Sequence, residues 1–252
     1  MLRRILATLA LAAFSLTTHA EKITIAAAAD LKFALDEIVK QYQASRPGDD
    51  INVVYGSSGK FHTQIQQGAP YDLYFSADIA FPRELVKAGF AATEVDPYAV
   101  GRIVLWSNSV DATRLTLDSL TEARFTRIAI ANPKHAPYGK RAVEALRSKG
   151  LYEQIEKKLV MGENIAQTAQ FVETGNAQVG IIALALALNP QLSKEGGYSL
   201  IPDDLHEPLE QGFIVTRRAA SNRLAHDFAR YMDTPPARRI MKKYGFVLPG
   251  EQ

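Results

Sequence analysis

Short apolar runs alternate with longer segments whose apolar residues recur at helical spacing. Ile23-Thr-Ile-Ala-Ala-Ala-Ala29 reads as a buried strand, and Leu31, Leu35, Ile38, Val39 and Tyr42 then share one helical face. After the Pro47-Gly48 break, 51–55 is a second strand, Phe61 and Ile65 mark a short helix, and Gly68 stands where a helix stop belongs. Leu73-Tyr-Phe75 predicts a third strand and 82–88 a helix stopped by Gly89. Beyond Pro97 the same alternation returns. Strands are expected at 103–106, 128–131, 159–161, 179–183 and 213–216. Between them lie a helical turn at 117–122, a helix with Ala142, Val143 and Leu146 ended by Gly150, and a helix with Ala169, Phe171 and Val172 ended by Gly175. Asn164 is placed to cap the latter. Amphipathic segments at 224–232 and around Ile240 and Met241 close the chain.

Strands alternating with helices predict an α/β fold, a parallel or mixed sheet with helices on both faces. In such sheets ligands gather beyond the carboxyl ends of strands, where helices begin. Four junctions therefore matter: Ala29-Asp30, 56–60, 136–139 and 163–165.

The first residues carry a different pattern. Arg3 and Arg4 precede an apolar stretch at 5–16, and Thr18-His19-Ala20 ends on a small residue. This is the form of a secretory signal peptide, 1–20, with cleavage expected after Ala20; the apolar run is too short to span a bilayer. Without Arg3 and Arg4, 27 basic residues face 27 acidic ones. With no basic stripe, nucleic-acid binding has no electrostatic footprint. The chain has no cysteine, so neither a disulfide framework nor a thiolate metal site is open to it.

Gly56-Ser-Ser-Gly59 combines small residues, two hydroxyls and a following helix start. Free N–H groups and the positive helix end would make this loop an anion site without a formal counter-charge. A plain helix cap by Ser57 or Ser58 fits the same residues. Ser57-Ser-Gly-Lys60 also matches the S-x-x-K of serine nucleophiles, but S-D-N, K-T-G and G-x-S-x-G are all missing from the chain. A P-loop is excluded because the segment is too short and Phe61 replaces its Ser or Thr. His62, His135, His206 and His226 show no metal spacing, and Asp72 and Asp78 are best read as turn and cap residues. Tyr138 precedes a helix start, so its amide could meet a ligand shared with Ser58 while its ring packs over the loop.

At these junctions the sequence resembles the periplasmic molybdate-binding proteins of ABC importers. The resembling stretches are 23–31, Tyr55-Gly-Ser-Ser-Gly59, Gly68-Ala-Pro-Tyr-Asp-Leu-Tyr-Phe-Ser-Ala-Asp78, Asn132-Pro133, Ala136-Pro-Tyr-Gly139, 179–182 and Lys243-Tyr-Gly-Phe-Val-Leu-Pro249. The resemblance implies a two-lobed, type II-like binding protein with mixed sheets and a ligand cleft between the lobes. Residues 21–102 and 216–252 would form lobe 1, and 103–215 lobe 2. It implies a non-catalytic, exported, monomeric receptor in the periplasm with a membrane permease as partner. Its ligand would be a small inorganic oxyanion, molybdate or tungstate, with no cofactor and no side chain bonded directly to the metal. Carried over by motif, the ligand-holding residues are Ala29, Asp30, Ser58, Tyr138 and Ile165. Two departures stand out. The resembling family usually has Ser, Thr or Asn at Asp30, and some members have a tyrosine at Ala183. A carboxylate facing a dianion is costly in a dry cleft. Asp30 either caps its own helix, the reading favoured by Asp's preference for that position, or faces the cleft and changes what binds.

Overall fold

The computed structural model describes residues 21–251; the expected signal peptide, 1–20, lies outside them. Two five-stranded sheets organise the chain. The first is built from β1 (Lys22–Ala28), β2 (Asp50–Gly56), β3 (Leu73–Ser76), β4 (Asp96–Gly101) and β10 (Leu209–Val215), in the order β2-β1-β3-β10-β4. The second is built from β5 (Ile103–Ser107), β6 (Ile128–Ala131), β7 (Leu159–Gly162), β8 (Val179–Ala183) and β9 (Gly197–Leu200), in the order β7-β6-β8-β5-β9. Each sheet has a parallel trio, β2-β1-β3 or β7-β6-β8, extended by antiparallel strands.

The helices are α1 (Lys32–Ala44), α2 (Ser58–Gln66), α3 (Ala80–Lys87), α4 (Pro137–Ser148), α5 (Tyr152–Ile155), α6 (Ile165–Glu173), α7 (Leu184–Ala187), α8 (Leu192–Glu195), α9 (Arg223–Tyr231) and α10 (Pro235–Lys243). Alternation along β1 divides its side chains between the two sheet faces. Ile23, Ile25 and Ala27 pack with Leu35 and Ile38 of α1, Phe228 of α9 and Ile240 of α10. Ala26 packs on the other face with Phe61 and Ile65 of α2 and Leu85 of α3. Each large side chain so buried contributes about 1.5–3 kcal/mol. Gly68, Gly89, Gly150 and Gly175 all have positive φ, 87°, 75°, 65° and 74°, and end their helices as the sequence predicts.

The chain crosses between the sheets twice. The first crossing is at Arg102, between β4 and β5; the second lies between the end of β9 and the start of β10. The expected second boundary at 215/216 is therefore too late. β10 belongs to the first sheet, where Phe213 stacks on Phe75 of β3 at 4.6 Å. An apolar run such as Phe213-Ile-Val carries no mark of the sheet it joins. The C-terminal stretch docks beside the first crossing, with Val100 and Val247 exchanging backbone hydrogen bonds of 2.7 and 3.1 Å.

Candidate functional site: a cavity between the two lobes

Register brings the four junctions together in pairs. Ala28 lies opposite Gly56 in the first sheet, so the turn that begins at Ala29 is a neighbour of the start of α2. Ala131 lies opposite Gly162 in the second, so α4 and α6 begin side by side. The two pairs face each other across the lobes. They enclose a cavity of about 10 Å³ whose lining includes Ala29, Asp30, Ser58, Ala77, Tyr138 and Ile165. All five expected ligand-holding residues are thus brought together, with Ala77 added. Among the described residues no lysine or arginine lines the cavity.

Close packing fixes these starts. A Cβ on Gly139 would stand 2.0 Å from the Ala131 carbonyl oxygen, so only glycine lets α4 begin so near β6. A Cβ on Gly56 would meet the Phe61 ring at 2.8 Å. Ser58 is fully buried as the first residue of α2. Its Oγ accepts the Ala77 N–H at 3.0 Å, and its carbonyl accepts the Tyr74 hydroxyl at 2.8 Å. With its oxygen so occupied, the Ser58 hydroxyl hydrogen is free to be donated. Ser58, Tyr138 and Ile165 occupy first helical turns, where backbone N–H groups have no acceptor within the helix. Pro137, at the first position of α4, brings no N–H of its own. Asn164 caps α6, its Oδ1 accepting the Gln167 N–H at 3.0 Å as expected.

The favoured reading of Asp30 as a helix cap is not what the structure shows. No side chain caps the short 3-10 turn Ala29–Leu31 or α1. Asp30 is instead 1 % exposed in the seam between the lobes. Its Oδ2 accepts the Tyr138 hydroxyl and the Gln211 Nε2–H, both at 2.9 Å. Gln211 Oε1 in turn accepts the Tyr98 hydroxyl at 2.7 Å. Among the described residues Asp30 Oδ1 has no hydrogen-bond partner. Burial pushes the carboxyl up from 3.8 to about 6, against the lowering effect of its hydrogen bonds to Gln211 and Tyr138. The backbone N–H groups of Asp30 and Leu31 temper the rise without completing a bond to Oδ1. The same burial, reinforced by Asp30 itself, pushes the Tyr138 hydroxyl well above its ordinary value, so it remains a donor. The tyrosine ring therefore packs between the lobes while the Tyr138 amide stays at the helix start.

A second set of contacts joins the lobes at the rim. The Gly59 N–H donates to the His135 carbonyl at 2.9 Å, and Ser57 Oγ lies 2.9 Å from His135 Nδ1. Ser57 thus takes the N-cap position of α2 without capping it through its side chain. Lys60 ion-pairs with Glu163 of the opposite lobe. Burial and Lys60 hold the His135 imidazole below its ordinary value, despite the opposing pull of Glu163.

Gln211 and Tyr98 are missed by sequence reasoning, because each is one polar residue in an unremarkable segment, and His135 is weighed there only as a metal ligand. Ala77 had a signal, since it lies inside the 68–78 stretch of the resemblance. Asp78 behaves as the expected cap residue, whereas Asp72 does not act as a local turn residue: it ties β1 and Arg218 to the start of β3. Asp72 Oδ2 accepts the Thr24 N–H at 2.7 Å, and Asp78 Oδ1 accepts the Ala80 N–H at 2.9 Å. Ala183 is buried at the end of β8 and does not line the cavity.

Comparison with known proteins fits this architecture. The family described as bacterial extracellular solute-binding protein matches residues 23–247. The chain belongs to this family. It is 36 % identical over 236 residues to the molybdate-binding protein ModA of Rhodobacter capsulatus, covering 92 % of this chain and 91 % of that one. It is 34 % identical to ModA of Azotobacter vinelandii over 248 residues, covering 98 % of each. The solved periplasmic molybdate-binding protein of A. vinelandii superposes with a TM-score of 0.83 at 30 % identity, covering 90 % of this chain and 99 % of that one. A sulfate-binding protein of Mycobacterium tuberculosis shares the fold, with a TM-score of 0.70 at 17 % identity. This member of the family thus brings neutral donors from both lobes to one cavity, together with a buried carboxyl.

Proposed function

We propose that the protein captures molybdate or tungstate between its lobes and delivers it to the membrane permease of an ABC importer. One observation carries this reading: four helix starts, two from each sheet, converge on a single cavity lined by neutral donors apart from the Asp30 carboxyl. Helix starts present N–H groups and the positive end of the helix dipole, which suits a desolvated anion. The Ser58 hydroxyl and the amides at Ser58, Tyr138 and Ile165 would grip its oxygen atoms, and no protein side chain would touch the metal. Ala29 and Asp30 complete the floor. The names of the relatives, molybdate-binding over nearly the whole chain, point to the same ligand. Neither a catalytic step nor a cofactor belongs to this reading. The protein acts as a monomer in the periplasm after its leader is removed at Ala20.

A second reading, a receptor for a different oxyanion, is favoured by Asp30 alone. The S-x-x-K reading loses its lysine as base, since Lys60 pairs with Glu163 and Ser57 contacts His135 rather than Lys60. A thermal-shift panel with molybdate, tungstate, sulfate, phosphate and chromate separates these readings. Stabilisation by molybdate and tungstate, growing with concentration, is expected from binding to the folded state only. Silence toward all five anions would end the oxyanion reading, and a response confined to another anion would select the second.

A further inference from the structure

Asp30 places a carboxyl where a dianion is to be held, and resting on the oxyanion reading above, the structure says how the two can coexist. Oδ2 is saturated by two donors, the Tyr138 hydroxyl and the Gln211 Nε2–H. Oδ1 of the same group is buried without a partner among the described residues, in a residue that lines the cavity with Ser58. A hydrogen bound to the carboxyl has one place to go, since Oδ2 already accepts twice. We propose that Asp30 receives the oxyanion as a neutral acid, taking up one proton from solvent on Oδ1 as the anion enters and donating it as a hydrogen bond to a ligand oxygen. When the anion leaves, the proton returns to solvent, so the exchange balances at one proton per anion with no bond made or broken in the ligand.

The surroundings leave little else to supply that proton or offset the charge. Tyr98 from β4 and Tyr138 from α4 are the titratable groups against the carboxyl, and burial raises both hydroxyls well above their ordinary value, so both stay neutral. Asp96 of β4 is a half-buried carboxyl pushed up by burial and by Asp233, and the following charged side chains of the packed elements are engaged or turned to solvent. Arg141 of α4 bonds Glu144 and the Pro208 carbonyl. Glu173 of α6 accepts from Gln191, Lys32 of α1 is exposed, Glu210 of β10 is exposed, and Asp50 of β2 pairs with Lys22. Burial already carries the carboxyl to about 6 without a ligand, and a dianion beside it pushes it further up. The rim imidazole of His135, held below its ordinary value, is neutral from pH 7 to 8.

The sign of the pH dependence follows. Above the free-state value the carboxyl must gain a proton to bind, so affinity weakens by about tenfold for each pH unit of rise. Near and below pH 6 the proton is already present and the dependence flattens. Titration calorimetry of the full mature chain with sodium molybdate at pH 6, 7 and 8 reads this directly. Repeating the pH 8 titration in two buffers of different ionisation enthalpy counts the protons, and about one per molybdate is expected. Asp30→Asn keeps the shape and the Oδ2-like acceptor but cannot titrate, so its affinity should show neither the slope nor the proton uptake. Molybdate binding by the parent protein with flat affinity and no proton uptake overturns the proposal alone and leaves the oxyanion reading standing. So does a slope that survives in Asp30→Asn. Sodium phosphate binding more tightly than molybdate without proton uptake overturns it too, because the proton would then travel on the anion. No heat with either anion at any pH overturns the oxyanion reading and this proposal together.

Discussion

Two side chains dominate the cavity, and they make opposite demands. Ser58 is held from two sides, so its hydroxyl hydrogen needs no reorganisation before it meets an anion. One hydrogen bond to a charged group contributes roughly 1.5–3 kcal/mol net, so Ser58→Ala should weaken molybdate binding roughly 10- to 150-fold, read by titration calorimetry. An unchanged affinity would remove Ser58 from the site. Asp30 costs stability rather than adding it at neutral pH. Its folded value of about 6 lies above 3.8, so its favourable contribution is complete below pH 4 and is lost as pH rises through 6. The loss amounts to about 3 kcal/mol at most. Without ligand, Asp30→Asn should therefore gain stability relative to the parent between pH 4 and pH 7, measured by denaturant unfolding at both. A constant difference would mean that the carboxyl is solvated.

At the scale of elements, the site is a consequence of strand register. Ala28 opposite Gly56 and Ala131 opposite Gly162 set the helix starts in pairs, and small residues let them approach. The seam is equally exacting: a Cβ on Gly59 would stand 2.8 Å from the His135 carbonyl oxygen, which is backbone and cannot swing aside. Gly59→Ala should therefore hold the lobes apart. The expected signature is weaker molybdate binding with a larger radius of gyration in solution scattering; an unchanged radius and affinity would show that the rim contact is dispensable. Much of this level was readable in the sequence. Apolar runs located β1, β2, β3, β5, β6, β7, β8 and part of β10, and glycines marked four helix ends. β4 and β9 were not read, because Asp96-Pro-Tyr-Ala-Val-Gly101 and Gly197-Tyr-Ser-Leu200 are short, interrupted by Pro or Gly, and lie at sheet edges. The cap reading of Asp30 failed for a different reason. Local preference places Asp at helix starts, but the partners that hold this one, Tyr138 and Gln211, are 108 and 181 residues away in sequence.

For the whole molecule, two sheets of like topology are joined by two crossings and meet over one cavity. A cavity of about 10 Å³ has room for about one water, so a four-oxygen anion must part the lobes to enter. Hinge motion at Arg102 and along the second crossing is the natural route, since few residues link the lobes there. Gly101, beside the first crossing, must be glycine for packing: a Cβ there would stand 2.2 Å from the Tyr138 hydroxyl. In the structure the Asp30–Tyr138 bond and the Gly59–His135 bond tie the two lobes together. The most direct test is a crystal structure of the protein with molybdate, using the anomalous signal of molybdenum to place the ion. The account predicts one peak between the lobes, its oxygen atoms within hydrogen-bonding distance of Ser58 Oγ and the amides of Tyr138 and Ile165. A peak elsewhere, or an anion bound without contact to both lobes, would contradict it.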